Sequence, residues 1–400
     1  MAKAPRRSSS KTSISDALPL PAALGYRMPA EWEPHSATWL AWPHYHGDWP
    51  GRFEPIPWVY AEIIRNLARH ERVELIVNDA AAAGQARRVL ERADSLSANI
   101  RFHRWPTNRV WLRDSGCIFL TKSEKDHVGP GLRSGQAEQS SAALALKFRF
   151  NAWAKYSNWR YDDKIGLLMA QVKIPTSRAK NVREMGHQRE LLTREILPVS
   201  NGKRIVLEGG SIDVNGAGTI LTTEECLLSK VQERNPHMAR VHYEKAFADY
   251  LGAPHTIWLG RGIFGDDTHG HVDDLTRFVS KDTVITMVET NSKDVNHAPL
   301  RANLRRLQSA RDQDGRQLTV VELPMPQPVV FEGRRLPASY ANFYIANGVV
   351  LAPVFNRSND RIALNTLVEL FPTREIVPIY SGDFIWGLGA MHCMTQQQPA

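Results

Sequence analysis

From about residue 83 onward one pattern returns five times, and it limits what this 400-residue chain can fold into more than any other feature. A stretch at helical spacing leads into a short apolar strand. A polar turn rich in Gly or Asp follows, then a further strand or hairpin. The first copy predicts a helix near 83–95, a strand over 100–103, a turn with Trp111, Arg113 and Asp114, and a strand over 117–120. The second predicts a helix near 187–197, a strand over 204–207, the turn Glu208, Gly209 and Gly210, and a hairpin over 211–216 and 219–222. The third has a helix near 240–251, a strand over 255–259, a turn over 265–274 and strands around 276–279 and 283–288. The fourth has a helix near 297–310 with Leu300, Leu304 and Leu307 on one face, a strand over 318–321 and a hairpin over 340–345 and 349–354. The fifth has a helix near 359–371 and a strand over 376–379, and it ends on a turn that carries Cys393.

Units of this size must stack on neighbours to bury their apolar faces, so five of them predict a closed, repeated α/β architecture. The fifth unit has no predicted strand after Cys393, and the early strand over 38–42 can supply one and close the ring. A doubly wound sheet also alternates strands and helices. Against it, no GxGxxG follows the first strand. Residues 26–54 are dense in tryptophan, which suits either core packing or an aromatic wall for a cation. Ile56, Val59, Ile63 and Leu67 recur at helical spacing before a strand over 73–77. Residues 121–147 read as a long connection with the character of a lid.

Composition narrows the class. Residues 1–25 hold Lys3, Arg6, Arg7 and Lys11 against Asp16 in a Ser-rich context, and read as a disordered basic tail. They carry +3 of the formal net charge of +8 and leave +5 for residues 26–400, which read as one domain. A basic chain can bind nucleic acid, but no recognition motif accompanies the charge. No apolar run approaches the length of a membrane span, and the start lacks the apolar core of a secretory signal. Three cysteines cannot build a disulfide framework, which fits a reducing cytoplasm.

The polar turns carry the chemistry. They hold Asp114, Glu208, His271 with Asp273, and Cys393. Singly, each has a plain structural explanation: a surface ion pair, a turn cap, a core histidine, a small buried hydrophobe. Together, in equivalent turns, they meet at one mouth. Several carboxylates around one point repel each other unless a cation sits among them. His269, His271, Asp273 and Asp274 are a possible metal set, but no HExxH or paired CxxC is present. A planar guanidinium fits better, because its fork of N–H groups matches two carboxylates at once. Fixed beside a thiolate, its central carbon becomes open to attack, with His271 moving protons.

These residues resemble a known family. The segments 28–34, 111–114, 207–211, 265–273 and 392–399 are similar to those of agmatine deiminases and bacterial peptidylarginine deiminases in the guanidino-group-modifying superfamily. The similarity runs over the chain from about Met28. It implies a five-bladed α/β propeller and hydrolysis of agmatine to N-carbamoylputrescine and ammonia through a cysteine thiouronium. It implies Cys393 as nucleophile, His271 and Glu208 for proton transfer and guanidinium contact, and Asp114 and Asp273 as guanidinium-binding carboxylates. Trp111, Asn342 and Gly387 fall among the substrate-binding positions. The implied partner is a small cationic guanidine, with no cofactor, metal, nucleic acid or membrane; a homo-oligomer is compatible with it.

Three departures bear on the substrate and on side reactions. Leu388 stands where the family has the middle of three glycines, Cys117 stands where it often has proline, and residues 149–155 lack paired glycines. Other readings are deimination of free or C-terminal peptidyl arginine, amidino transfer to an amine, a metal-dependent hydrolase built on His269, His271 and Asp273, and a nucleic-acid-binding protein.

Overall fold

The strands group by a simple rule: a hairpin, a returning helix, and a third strand parallel to the hairpin's second. Asp213–Val214 and Thr219–Thr223 form such a hairpin. The helix Arg240–Leu251 carries the chain back, and His255–Leu259 lies parallel to Thr219–Thr223. The order recurs with Thr276–Phe278, Thr283–Val288, the helix His297–Ser309 and Thr319–Pro324. It recurs again with Tyr344–Ala346, Val349–Val354, the helix Asp360–Leu370 and Glu375–Tyr380. An antiparallel pair needs only a tight turn, whereas a parallel partner needs a crossover, and the helix supplies it. This computed structural model describes residues 19–122, 144–172 and 194–400.

Two further sheets complete the pattern. Ile118–Lys122 pairs with Tyr26–Arg27 on one side and with Leu144–Leu146 on the other, and Leu144–Leu146 runs parallel to Arg194–Ile196. His35–Ala41 pairs antiparallel with Gln396–Pro399 and parallel with Arg72–Val77, which runs parallel to Ile100–Arg104. The ends of the chain thus share one sheet, as the early strand predicts. The fifth unit does carry a strand after Cys393, contrary to expectation; three consecutive glutamines hide it from a hydrophobicity pattern.

Each sheet unit starts with the hairpin, so it is out of phase with the helix-first unit read from the sequence. The polar turns therefore join the last strand of one sheet to the first of the next. That is why they occupy equivalent places.

Other differences are local. The helix expected near 187–197 is a strand at its end, Arg194–Ile196, and residues 187–193 lie outside the described residues. The strand expected over 204–207 is a two-residue ribbon, Val199–Ser200 with Lys203–Arg204, plus one bridge from Val206 to Arg149. The lid expected over 121–147 falls mostly on residues 123–143, also outside them. So do residues 1–18 of the tail, while Ala22–Leu24 form a turn closed by Gly25 donating to the Ala22 carbonyl at 3.0 Å. No helix among the described residues is long and apolar enough to cross a membrane.

The core follows from periodicity. Leu300 and Leu307 of one helix and Ile56, Ile63 and Leu67 of another are buried, with Leu304 and Val59 half-buried. Trp39, Trp42 and Trp49 are buried too, which settles most of the early tryptophans as packing. Leu40 sits opposite Leu75 in the sheet that joins the chain ends, and both are buried. Truncating it leaves a cavity, so Leu40→Ala should cost about 2–5 kcal/mol of unfolding free energy, read from denaturant midpoints. A cost below about 1 kcal/mol would show that this sheet is not integral to the core.

Candidate active site

One buried carboxylate organises the turns. Glu31 accepts from the Ile345 amide at 2.8 Å and from Arg113 Nη2 at 3.1 Å, and it is ion-paired with Arg277 Nη2 at 2.9 Å and faces His392 Nε2 at 2.8 Å. His392 Nδ1 lies 2.7 Å from Asp273 Oδ2 on its other side. Arg277 Nε also donates to Asp213 Oδ2 at 2.5 Å. Burial opposes the charge on Glu31, but Arg277, His392 and Arg113 outweigh it and hold its pKa well below the usual range. The network fixes the residue immediately before Cys393.

Cys393 belongs to the single turn Met391–Met394 and is buried. Asn342 Nδ2 donates to its Sγ at 3.0 Å and to Asp274 Oδ1 at 2.9 Å. The Asn342 side-chain oxygen accepts from the His392 amide at 3.0 Å. Asp273 Oδ2 is 3.6 Å from the sulfur. A single amide therefore sets both the backbone and the thiol.

His271 sits among carboxylates without bonding any. Its Nδ1 is 3.9 Å from both Asp114 Oδ1 and Asp273 Oδ1, and its Nε2 is 3.8 Å from Glu208 Oε2. Neither ring nitrogen, nor Glu208 Oε2, nor Asp273 Oδ1 has a hydrogen-bond partner, and all are buried. Arg234 Nε anchors Glu208 through Oε1 at 3.1 Å. Asp114 accepts from the Gly210 amide at 3.0 Å and from Trp153 Nε1 at 2.8 Å. Gly210 has to be glycine: a Cβ there would lie 2.5 Å from His271 Nδ1.

An open pocket of about 540 Å³ leads down to Cys393. Its wall includes Asp114, Trp111, Gly387, Leu388 and Gly389, together with Asp48, Arg109, Tyr156 and Asp267. Asp48 binds Arg109 in a close ion pair, and Asp267 accepts from Lys155 Nζ at 2.5 Å and Tyr156 Oη at 2.7 Å. Leu388 holds the left-handed conformation, φ 69°, where leucine costs about 1–2 kcal/mol. Ala152, Trp153 and Ala154 do the same in succession, and that turn delivers the Trp153 indole to Asp114. Backbone of this kind persists only where its surroundings impose it.

The charges are strongly displaced. Burial raises the Asp114 carboxyl to about 6 against the pull of His271. Burial also raises Glu208, but Arg234 and His271 win and bring it to about 2. Burial pushes His271 down, yet Asp114, Cys226 and Glu208 around it leave it well above its usual value. Burial, then Asp273, Asp274 and Asp114, push the Cys393 thiol well up, so it is protonated in the empty site. The arrangement is a neutral thiol facing carboxylates whose unpartnered oxygens a cationic ligand can engage.

Most residues singled out in the sequence converge here: Cys393, His271, Glu208, Asp273 and Asp114 around one point, Asn342 on the thiol, and Trp111 and Gly387 in the pocket wall. The trio His269, His271 and Asp273 does not gather as a metal set; His269 Nε2 instead faces Ser229 Oγ at 3.0 Å. Cys117 is buried and its thiol pushed to about 12 by burial, an inert neighbour. Sequence reasoning missed Glu31, Arg277, Arg234, Trp153, Asp48 and Arg109. The role of His392 was missed as well; of these residues only Glu31 and His392 carried a signal, their places in the segments 28–34 and 392–399.

The Porphyromonas-type peptidyl-arginine deiminase family model matches residues 27–399. The agmatine deiminase of Pseudomonas aeruginosa (strain UCBPP-PA14) is 33% identical over 410 aligned residues, covering 97% of this chain and 99% of that protein. Among solved structures, the agmatine deiminase of Enterococcus faecalis superposes with a TM-score of 0.78 at 27% identity, covering 95% of this chain and 98% of that one. A putative arginine deiminase from Porphyromonas gingivalis gives a TM-score of 0.74 at 28% identity, covering 94% and 98%.

The Asp114 shift has a consequence for stability. Its pKa is raised on folding, so its contribution is greatest below the unfolded value and is lost as pH rises through about 6. From 3.8 to about 6 the loss amounts to about 3 kcal/mol. Without substrate, the wild type should lose that much more stability than Asp114→Asn between about pH 4 and about pH 7, by urea unfolding. Parallel pH profiles would mean that the site does not penalise this charge.

Proposed function

The chain belongs to the Porphyromonas-type peptidyl-arginine deiminase family, and from that premise we propose that it hydrolyses agmatine to N-carbamoylputrescine and ammonia. One observation carries the reading: a neutral buried thiol, Cys393, at the end of a pocket among carboxylates with unpartnered oxygens. A guanidinium between Asp114 and Asp273 supplies the missing positive charge. It also offsets the carboxylates that hold the thiol protonated, so the thiol loses its proton to solvent and the thiolate forms when substrate is present.

The thiolate attacks the guanidinium carbon and gives a neutral tetrahedral adduct. His271, kept protonated by its carboxylates, gives its proton to the departing nitrogen. The C–N bond breaks, ammonia leaves and a cationic thiouronium remains on Cys393. Neutral His271 then takes a proton from water, the hydroxide adds, and the C–S bond breaks as the proton on oxygen returns to sulfur. Glu208, anchored by Arg234, keeps His271 in place. Trp111 packs along the aliphatic stem, and Asp48 and Asp267 are the candidates for the distal ammonium.

Deimination of free or C-terminal peptidyl arginine is the second reading, and Arg109 in the pocket wall favours it as a partner for a carboxylate. The five sheets of three or four strands, each ending in a turn toward the site, support a five-bladed α/β propeller. Residues 26–400 then act as one catalytic domain behind a basic tail, in the cytoplasm, with neither nucleic acid nor membrane as partner.

Ammonia release across agmatine, arginine and a peptide ending in arginine, with products identified by mass, tests the reading. Agmatine should give the highest kcat/KM, and chelation should not lower it. Cys393→Ser should abolish turnover with the fold intact; near-wild-type activity would remove Cys393 from the chemistry. Asp273→Asn breaks one partner of the buried pair formed with the guanidinium, a cost of about 3–5 kcal/mol. That corresponds to roughly two to three decades or more in kcat/KM. A matching loss of folding stability would instead make Asp273 structural.

A further inference from the structure

His271 has a neighbour that deimination does not use. Cys226 lies in the short helix Glu224–Leu228, where its amide is capped by Thr223 Oγ1 at 3.0 Å. The same hydroxyl donates at 2.5 Å to the carbonyl of Gly270, the residue before His271. That double contact locks the cysteine turn against the histidine. One ligating atom each from Glu208, Cys226 and His271 lies within 4.8 Å of the others, and all three residues are buried.

These atoms have free capacity. Arg234 occupies Glu208 Oε1, while Glu208 Oε2 and both nitrogens of His271 are buried without hydrogen-bond partners. A thiolate, an imidazole and a carboxylate are the donors that suit a tetrahedral, borderline-soft cation. With bonds of about 2.0–2.3 Å, neighbouring ligands on zinc stand about 3.3–3.8 Å apart. His271 Nε2 and Glu208 Oε2 are already at 3.8 Å, and with the Cys226 sulfur within 4.8 Å of its partners a contraction of at most about an ångström closes the set. Charge balances as well. The dication enters as the thiol and the imidazolium each release a proton, and Arg234 keeps its pair.

We propose that Glu208, Cys226 and His271 form an inhibitory site for a thiophilic divalent cation of the zinc class. Once bound, the ion occupies the imidazole that would protonate the departing nitrogen, and turnover stops. This effect rests on the role given to His271 above; the binding itself does not. Zinc here acts as an inhibitor.

The test uses the full chain and two variants, Cys226→Ala and Cys226→Ser, each compared with its own metal-free rate. Buffered free zinc should inhibit the wild type, and both variants should need roughly tenfold to a hundredfold more, or beyond. Binding is read separately by cadmium, through the ultraviolet sulfur-to-cadmium absorption, in a Cys393→Ser background. A single equivalent should give the band there, and adding Cys226→Ala should remove it. Equal zinc sensitivity in wild type and both variants, or a cadmium band that survives loss of Cys226, overturns the proposal. If no guanidine is turned over, the deiminase reading fails while the cadmium titration still decides this one.

Discussion

The site depends on a constraint of charge: carboxylates packed into one dry volume cannot all ionise without compensation. Two solutions stand side by side. Glu31 is neutralised permanently by Arg113 and Arg277, with His392 against it, and becomes a rigid post. Glu208 is neutralised by Arg234. Asp114 receives no arginine, only an indole, an amide and His271 at 3.9 Å, and burial still leaves its charge costly. The permanent pairs build the frame, and the unpaired carboxylate creates the demand for a cationic ligand. Binding free energy then comes from relieving a penalty that the empty protein already carries.

This division explains what could be read from the sequence. Asp114, Glu208, His271, Asp273 and Cys393 lie in turns that recur in phase, so their convergence follows from the repeat itself. Glu31, Arg277 and Arg234 belong to the frame and have no repeat to announce them. Glu31 meets Ile345 across 314 positions and Arg277 meets Asp213 across 64, and no local pattern encodes such pairings. Part of the pocket wall was hidden for the same reason. Asp48 and Arg109 come from separate connections and meet only once the sheets are assembled.

The fold was legible to the extent that it is periodic. Helices with a clear apolar face fall where expected, Ile56–Ala68 and His297–Ser309 among them. Strands failed where side-chain chemistry and burial part company. Gln396–Pro399 is a buried strand of glutamines: Trp39 Nε1 donates to Gln398 Oε1 at 2.8 Å and Arg113 Nη1 to Gln397 Oε1 at 2.5 Å. These amides are partners for other buried polar groups, which hydropathy cannot register. The departures at Leu388 and at residues 152–154 share a cause as well. The left-handed turns are kept without glycine, so the structure tolerates strain there to aim Trp153 and to wall the pocket.

That strain and the glutamine strand point to when the site forms. Cys393 sits between a left-handed turn at Leu388 and a strand whose partner is His35–Ala41, at the opposite end of the chain. Neither element has local preference enough to hold itself. Pairing the chain ends closes a loop of almost the whole domain, the costliest contact by loop entropy and so a late one. His392 reaches Glu31 only after that closure, and Asn342 can bond the sulfur only when the His392 amide is in place beside it. The thiol is therefore seated by a long-range contact rather than a local one. Before closure Cys393 is an ordinary exposed cysteine; after it, the sulfur is buried, protonated and waiting for the cation that the surrounding carboxylates select.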